Sequence, residues 1–184
     1  ESCNPCAEVM QPPNTACNLV ALNLLKFLHD DGNLDIPSFP HTVDIMITAM
    51  DIMIDRSSYP TEAIAQNSRN YRPLGLGYCN LGALLMARGL PYDSDEGCDL
   101  AASVTALMTG EAYTQSARLA KVKEPFAGFE ANKDAMISII DTHFEYVAKS
   151  HVDAGAAWNS ARALGYEFGY RNCQVSVLAP TGTI

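Results

Sequence analysis

The stretch Asn4-Pro5-Cys6-Ala7-Glu8, followed by Thr15-Ala16-Cys17-Asn18-Leu19, is the part of the chain around which its fold and chemistry are organised. If the first stretch is extended, alternate side chains point the same way, so Asn4, Cys6 and Glu8 face one site together. A thiol beside a proton acceptor is what nucleophilic, redox or radical sulfur chemistry requires.

After the turn expected at Pro12-Pro13, the chain returns toward the same site and adds a second thiol, Cys17. A free cysteine is also often a small buried hydrophobic residue, and the spacing alone leaves both interpretations open. The chain has 6 cysteines in 184 residues, too few for a disulfide scaffold. This usage favours a reducing, cytoplasmic location in which any functional thiols are catalytic.

Composition limits the function classes. Hydrophobic residues make up 48% of the chain and charged residues 18%, as in a globular domain with a real core. The net charge of -9 argues against general nucleic-acid binding, although a local loop can still bind one anion. No apolar run reaches the roughly 20 residues that span a membrane, and the polar start Glu1-Ser2-Cys3 does not resemble a signal peptide.

The clearest predicted helix follows Pro40. Its apolar face recurs at three- and four-residue spacing and consists of Val43, Met46, Ile47, Met50, Met53 and Ile54. We expect the methionines to fill the core and not to bind a cofactor or a partner. The opposite face carries Asp44, Thr48, Asp51 and Asp55, which we predict to be solvated and not to bind metal.

The remaining pattern is rich in helices. Residues 1–15 are predicted to be a loop and residues 16–19 a short strand. Further helical segments are predicted at 22–28, from Glu62, at 81–88, from the cap Ser94 to about Lys121, at 136–147 and at 158–168.

The run Arg72-Pro73-Leu74-Gly75-Leu76-Gly77-Tyr78 predicts a strand or tight loop where backbones approach closely. It is not a dinucleotide-binding fingerprint, because Asn80 stands where the third glycine is required.

The last segment, Gln174-Val175-Ser176-Val177-Leu178, alternates and is β-branched, which predicts a strand. It leads into Ala179-Pro180-Thr181-Gly182-Thr183, whose backbone N–H groups and hydroxyls suit a phosphate. Many strand ends look similar, so this motif is weak by itself.

Together these runs resemble the catalytic subunit of ribonucleotide reductase. The matching runs are the two opening stretches with Leu22-Asn23-Leu24, residues 72–96, and Leu178 to Ile184. The resemblance implies a helix-rich α/β fragment of the family's ten-stranded barrel. Residues 1–184 would then be part of a single catalytic domain that is truncated at both ends, and the fragment alone would be inactive. The implied activity is the reduction of ribonucleoside di- or triphosphates to deoxyribonucleotides for DNA synthesis.

The resemblance also implies roles for individual residues. Cys6 matches the cysteine that becomes a thiyl radical, and Glu8 the carboxylate that accepts the 3′-hydroxyl proton. Asn4 matches the amide that binds the sugar hydroxyls, and Cys17 one half of the redox pair. The implied phosphate-binding residues are Pro180, Thr181, Gly182 and Thr183.

The runs at 72–78 and 89–96 look most like the class II branch, which implies adenosylcobalamin as cofactor. The alternative within the family is a class I large subunit, whose radical comes from a metal-containing partner subunit. The family also implies a thioredoxin- or glutaredoxin-like reductant and a homodimer, without nucleic-acid or membrane partners.

Some features depart from the family pattern. The redox partner of Cys17 should lie upstream and is absent from this sequence. Cys3 and Cys6 form a C-x-x-C, so a zinc or redox module is a rival interpretation, although zinc needs a second ligand pair. A helical interaction domain without chemistry is another rival. We predict that Cys79, Cys98 and Cys173 are inert, the first two lying within or at the start of helices, and that His143 and His151 are not metal ligands.

Overall fold

The computed structural model describes residues 2–150 and 154–182. Its centre is a parallel pair of strands, β3 (Asn18–Asn23) and β4 (Leu74–Cys79), with Asn18 opposite Leu74. Both strands carry aliphatic residues, and Leu22, Leu74 and Leu76 are buried in the core. The predicted short strand at 16–19 is therefore a longer strand that begins two residues later.

The terminal segment lies along the other edge of β4. The N–H of Leu74 donates to Gln174 O at 2.8 Å, and the N–H of Val177 donates to Leu76 O at 2.9 Å. The pairing is a single parallel bridge, Leu76 to Ser176, and not the full strand that the alternation predicts. It still fixes the direction in which the chain enters residues 179–182.

The N-terminal residues form a small hairpin where the sequence predicts only a loop. Strand β1 (Ser2–Cys3) pairs antiparallel with β2 (Met10–Gln11). Each strand has only two residues, which is too short to produce a readable alternation.

Helices make up most of the described chain. Their bounds are α1 (Ser38–Arg56), α2 (Glu62–Tyr71), α3 (Leu81–Ala87), α4 (Asp95–Lys123), α5 (Phe129–Ser150) and α6 (Gly155–Phe168), and Leu24–Phe27 is a 3-10 helix. The predicted cap at Ser94 is confirmed, because its Oγ accepts from the Gly97 N–H. Thr61 caps α2 in the same way, with Oγ1 accepting from the Ile64 N–H. In the described part of the chain, no helix is long and apolar enough to cross a membrane.

The core lies between the sheet, α1, α4 and α6, with α5 packed on α6. Val43, Ile47, Met50 and Ile54 of α1 are buried, as their spacing predicts. The prediction that Met53 lies in the core is wrong, because about half of this residue is exposed.

The expectation of a solvated aspartate face on α1 is wrong for Asp51, which is buried at 6% exposure. The buried guanidinium of Arg72 donates from Nε to Asp51 Oδ1 at 2.8 Å, and Asn172 Nδ2 donates to the same oxygen at 3.0 Å. Asp55 also pairs with Arg72 at 2.8 Å but remains half exposed. A buried charge is tolerated when it is paired and hydrogen-bonded in this way.

Candidate functional site

A cavity of about 600 Å³ lies over one face of the parallel sheet. The parts of the chain that line it are the loop 4–8, Gln11, residues 15–21, the glycines of β4 and residues 177–182. We call it the central cavity. It unites segments from the two ends of the chain.

The four predicted catalytic positions converge there with the terminal loop. Asn4, Cys6, Glu8 and Cys17 all line the central cavity. Pro180, Thr181 and Gly182 line it as well, while Thr183 lies outside the described residues.

The loop that carries Cys6 is not extended, contrary to the expectation from alternation. Ala7 has a left-handed backbone with φ 59°, and its N–H donates to Asn4 O at 3.0 Å. Asn4 Oδ1 accepts from the Val9 N–H at 3.3 Å and so closes the loop. Tight turns, and not strand alternation, therefore bring the three side chains to one site.

Cys6 is exposed on this loop, and Glu8 is half-buried behind it. Glu8 Oε2 is buried without a hydrogen-bond partner among the described residues. A buried carboxylate oxygen normally has a partner, so an unpartnered one beside a cavity marks a position suited to a ligand hydroxyl.

Cys17 is held in a less polar position. Burial, with a smaller contribution from the Glu8 carboxylate, raises the pKa of the Cys17 thiol from 9.0 to about 11, while the Gln11 side chain lowers it. The thiol is therefore protonated at neutral pH, which suits a donor of hydrogen and electrons better than a free thiolate.

Two glycines of β4 form the floor of the central cavity, a role that sequence reasoning did not assign. A Cβ at Gly75 would lie 3.1 Å from Cys17 Sγ and would collide with the Leu19 side chain. A Cβ at Gly77 would collide with the Val177 carbonyl oxygen. The Gly-Leu-Gly alternation was the available signal, because it removes both side chains from one face of a strand.

The terminal loop has the features of an anion-binding turn. Thr181 has a left-handed backbone with φ 48°, and a Cβ at Gly182 would meet no atom within 4 Å among the described residues. Consecutive N–H groups in such a turn can converge on an anion.

The other cysteines do not line the central cavity. Cys3 and Cys98 are exposed, whereas Cys79 is buried at the end of β4 and is not in a helix, contrary to the prediction. Burial raises the pKa of Cys173 to about 12, which agrees with an inert thiol. His143 stacks on Trp158, and His151 lies outside the described residues. Within residues 2–150 and 154–182, no group of three or more His, Cys, Asp or Glu side chains is placed to hold a metal ion.

A cysteine-bearing loop, a second thiol and a terminal turn therefore meet in one cavity over a parallel sheet. The chain belongs to the ribonucleotide reductase family, because the family model described as ribonucleotide reductase, barrel domain, matches residues 1–184. The helix-rich α/β fragment predicted from the resemblance is thereby confirmed.

Curated relatives agree with this assignment. The chain is 46% identical, over 98% of its length, to a protein of Streptomyces coelicolor named vitamin B12-dependent ribonucleotide reductase, and it covers 20% of that protein. It is 43% identical to a protein of the same name from Rhodopirellula baltica, over 98% of the chain and 18% of the relative. It is 33% identical, over its whole length, to a Mycobacterium tuberculosis protein named vitamin B12-dependent ribonucleoside-diphosphate reductase, and covers 22% of it. The chain thus spans about one fifth of the length of these relatives.

Proposed function

We propose that this chain is the catalytic part of an adenosylcobalamin-dependent enzyme that reduces ribonucleotides to deoxyribonucleotides through a thiyl radical on Cys6. The observation that carries the proposal is the convergence of Cys6, Glu8, Cys17 and the turn 180–182 on one cavity. The names of the relatives favour the cobalamin-dependent branch over the class I alternative.

Cys6 starts and ends the reaction. As a thiyl radical it takes the hydrogen atom from the 3′ carbon of the ribose, so that an S–H bond forms and a C–H bond breaks. At the end of the cycle Cys6 returns the hydrogen atom to the same carbon. Its place at the tip of a tight loop, over the cavity, suits a group that must touch the sugar and little else.

Glu8 and Asn4 act on the sugar hydroxyls. The unpartnered Oε2 of Glu8 accepts the 3′-hydroxyl proton as a general base, which helps the substrate radical to expel the 2′ hydroxyl as water. Asn4 Oδ1 is occupied by the Val9 N–H, which leaves the amide Nδ2 for a sugar oxygen.

Cys17 supplies reducing equivalents. With a second thiol it delivers two electrons and two protons, and the pair ends as a disulfide. Among the described cysteines only Cys6 and Cys17 line the central cavity, so the second thiol of the pair comes from outside this chain. A thioredoxin- or glutaredoxin-like dithiol then restores the cysteine pair by thiol–disulfide exchange.

We further propose that the functional enzyme is a homodimer located in the cytoplasm.

The substrate phosphates bind at residues 180–183. Thr181 and Gly182 line the same cavity as Cys6, which supports placing the sugar between the phosphate turn and the thiol. A diphosphate is the substrate class named for the Mycobacterium tuberculosis relative.

Cys6 fits the implied cofactor because its thiol is exposed and can be reached by a bulky group beside the loop. When bound, adenosylcobalamin supplies the radical that oxidises a cysteine. The chain's own contribution is the thiol that receives the radical and the cavity that holds the sugar beside it.

The decisive experiment replaces Cys6 by Ser in the full-length enzyme, with Cys3→Ser as the matched control three residues away. Cys6→Ser should abolish turnover by more than about 1000-fold while nucleotide binding is kept, because no thiyl can form. Cys3→Ser should keep its activity. Equal activity of the two variants would refute the proposal, and loss in both would favour a zinc or redox C-x-x-C module, which metal analysis would then detect.

A further inference from the structure

Gln11 lies beside Cys17, although the chemistry above gives it no role. It is the last residue of β2, where it pairs with Ser2 at the base of the loop that carries Cys6. Its side chain lines the central cavity together with Thr15 and Cys17. It therefore shares a wall of the cavity with the redox thiol.

The Gln11 amide has a defined orientation. The Thr15 hydroxyl is 2.7 Å from Pro12 O and 3.3 Å from Gln11 Oε1, so it is shared between these two acceptors. With Oε1 turned toward Thr15, the amide NH2 is the group left for the sulfur of Cys17. Strand β4 lies close to the same sulfur, since a Cβ on Gly75 would be only 3.1 Å away.

We propose that Gln11, oriented by Thr15, is a positioning residue that donates a hydrogen bond to Cys17 whenever this sulfur carries negative charge. The inference rests on the proposed redox role of Cys17. The charge appears when the disulfide is reopened, because one sulfur must leave as a thiolate each time an external dithiol attacks. The exchange is balanced: the attacking dithiol is oxidised to a disulfide, and the cysteine pair regains two electrons and two protons.

The surroundings of Cys17 explain why such a donor matters. Burial and the Glu8 carboxylate both disfavour the thiolate, and Gln11 is the side chain that opposes them. The other titratable group that interacts with Cys17 is the Cys173 thiol, whose own pKa is raised by burial and by Cys17. Without the amide, nothing named in this environment stabilises a negative sulfur.

The test uses the full-length enzyme, reduced with a dithiol, and the variant Gln11→Met, which keeps the length of the side chain and removes its donors. The labelling rate of each cysteine by iodoacetamide is measured by peptide mass spectrometry between pH 7 and 10. We expect Cys17 to be labelled about tenfold more slowly, as for the loss of a hydrogen bond to a charged group, with exposed Cys98 unchanged. Gln66→Met, an exposed site on α2, is the matched control.

A kinetic measurement separates positioning from general damage. Pre-reduced Gln11→Met should complete a single turnover at the wild-type rate but lose multiple turnover with a dithiol reductant, since only reopening of the disulfide needs the thiolate. Unchanged labelling of Cys17 overturns the proposal. If buried Cys79 becomes labelled in Gln11→Met, that variant has unfolded, and the variant Thr15→Val is used in its place. Slower labelling of Cys17 in Thr15→Val supports the proposal, and unchanged labelling overturns it. Neither labelling result depends on ribonucleotide reduction, which the Cys6→Ser experiment tests separately.

Discussion

The buried aspartate of α1 gives the sharpest stability prediction. Asp51 Oδ1 accepts from Arg72 Nε at 2.8 Å and from Asn172 Nδ2 at 3.0 Å, and Oδ2 lies 3.5 Å from Arg171 Nε. Replacing Asp51 by Ala leaves the buried Arg72 with only the half-exposed Asp55 as a carboxylate partner. Breaking a buried pair from one side costs about 3–5 kcal/mol, and the remaining partner places the expected loss near 3 kcal/mol.

Two companion variants separate charge from exposure. Asp51→Asn keeps an oxygen that can accept both hydrogen bonds and removes only the charge, so its cost should be about 1–2 kcal/mol. Asp55→Ala removes an ion pair in which the Asp55 side chain is 53% exposed. The loss in free energy of unfolding should therefore stay within about 1 kcal/mol.

Urea unfolding measures these losses, with the fluorescence of Trp158 as probe. Trp158 is the only tryptophan of the chain and is 1% exposed, so its emission reports loss of the core. Equal losses for Asp51→Ala and Asp55→Ala would refute the reasoning, because burial would then not decide the cost of the broken pair.

Three further predictions concern the floor of the cavity, a cap and a thiol. Gly77→Ala should destabilise the fold by about 1–3 kcal/mol and raise the KM for nucleotide, because its Cβ displaces the Val177 carbonyl; unchanged KM would contradict this. Ser94→Ala should cost about 1 kcal/mol in urea unfolding through loss of the α4 cap, and no change would show that the cap is not needed. At pH 8 the thiolate fraction of Cys17 should be about 100-fold below that of a thiol with pKa 9.0, so iodoacetamide should label Cys98 first; labelling of Cys17 should rise with pH up to about 11. Equal labelling rates of Cys17 and Cys98 at pH 8 would contradict the raised pKa of the half-buried Cys17.

Local patterns predicted the elements that depend on neighbours in sequence. The cap at Ser94 and the apolar stripe of α1 were predicted because capping and helical spacing act over three or four residues. The charge pattern of α1 predicted wrongly that Asp51 is solvated. Its partner Arg72 is 21 residues away in sequence and lies at the end of another helix, so spacing within α1 gives no sign of the pair.

The roles of individual residues at the site stay predictions, although their convergence was foreseen. Asn4, Cys6 and Glu8 do share one cavity, but through a turn at Ala7 and not through strand alternation. Sequence spacing constrained which side chains could meet, whereas the turn that brings them together depends on contacts between Asn4 and Val9.

The sequence by itself determined the family and singled out the cysteines and the terminal turn as candidates for the site, because residue types at fixed short spacing carry that information. Only the tertiary structure decided that Cys6 is exposed and Cys17 half-buried, since the environment of Cys17 is made by Glu8, Gln11 and Gly75 from separate segments. It also placed the turn at 180–182 across the cavity from Cys6, through the pairing of residues 174–177 with β4. Burial and long-range pairing are properties of the folded chain, and they convert a cysteine motif into a site.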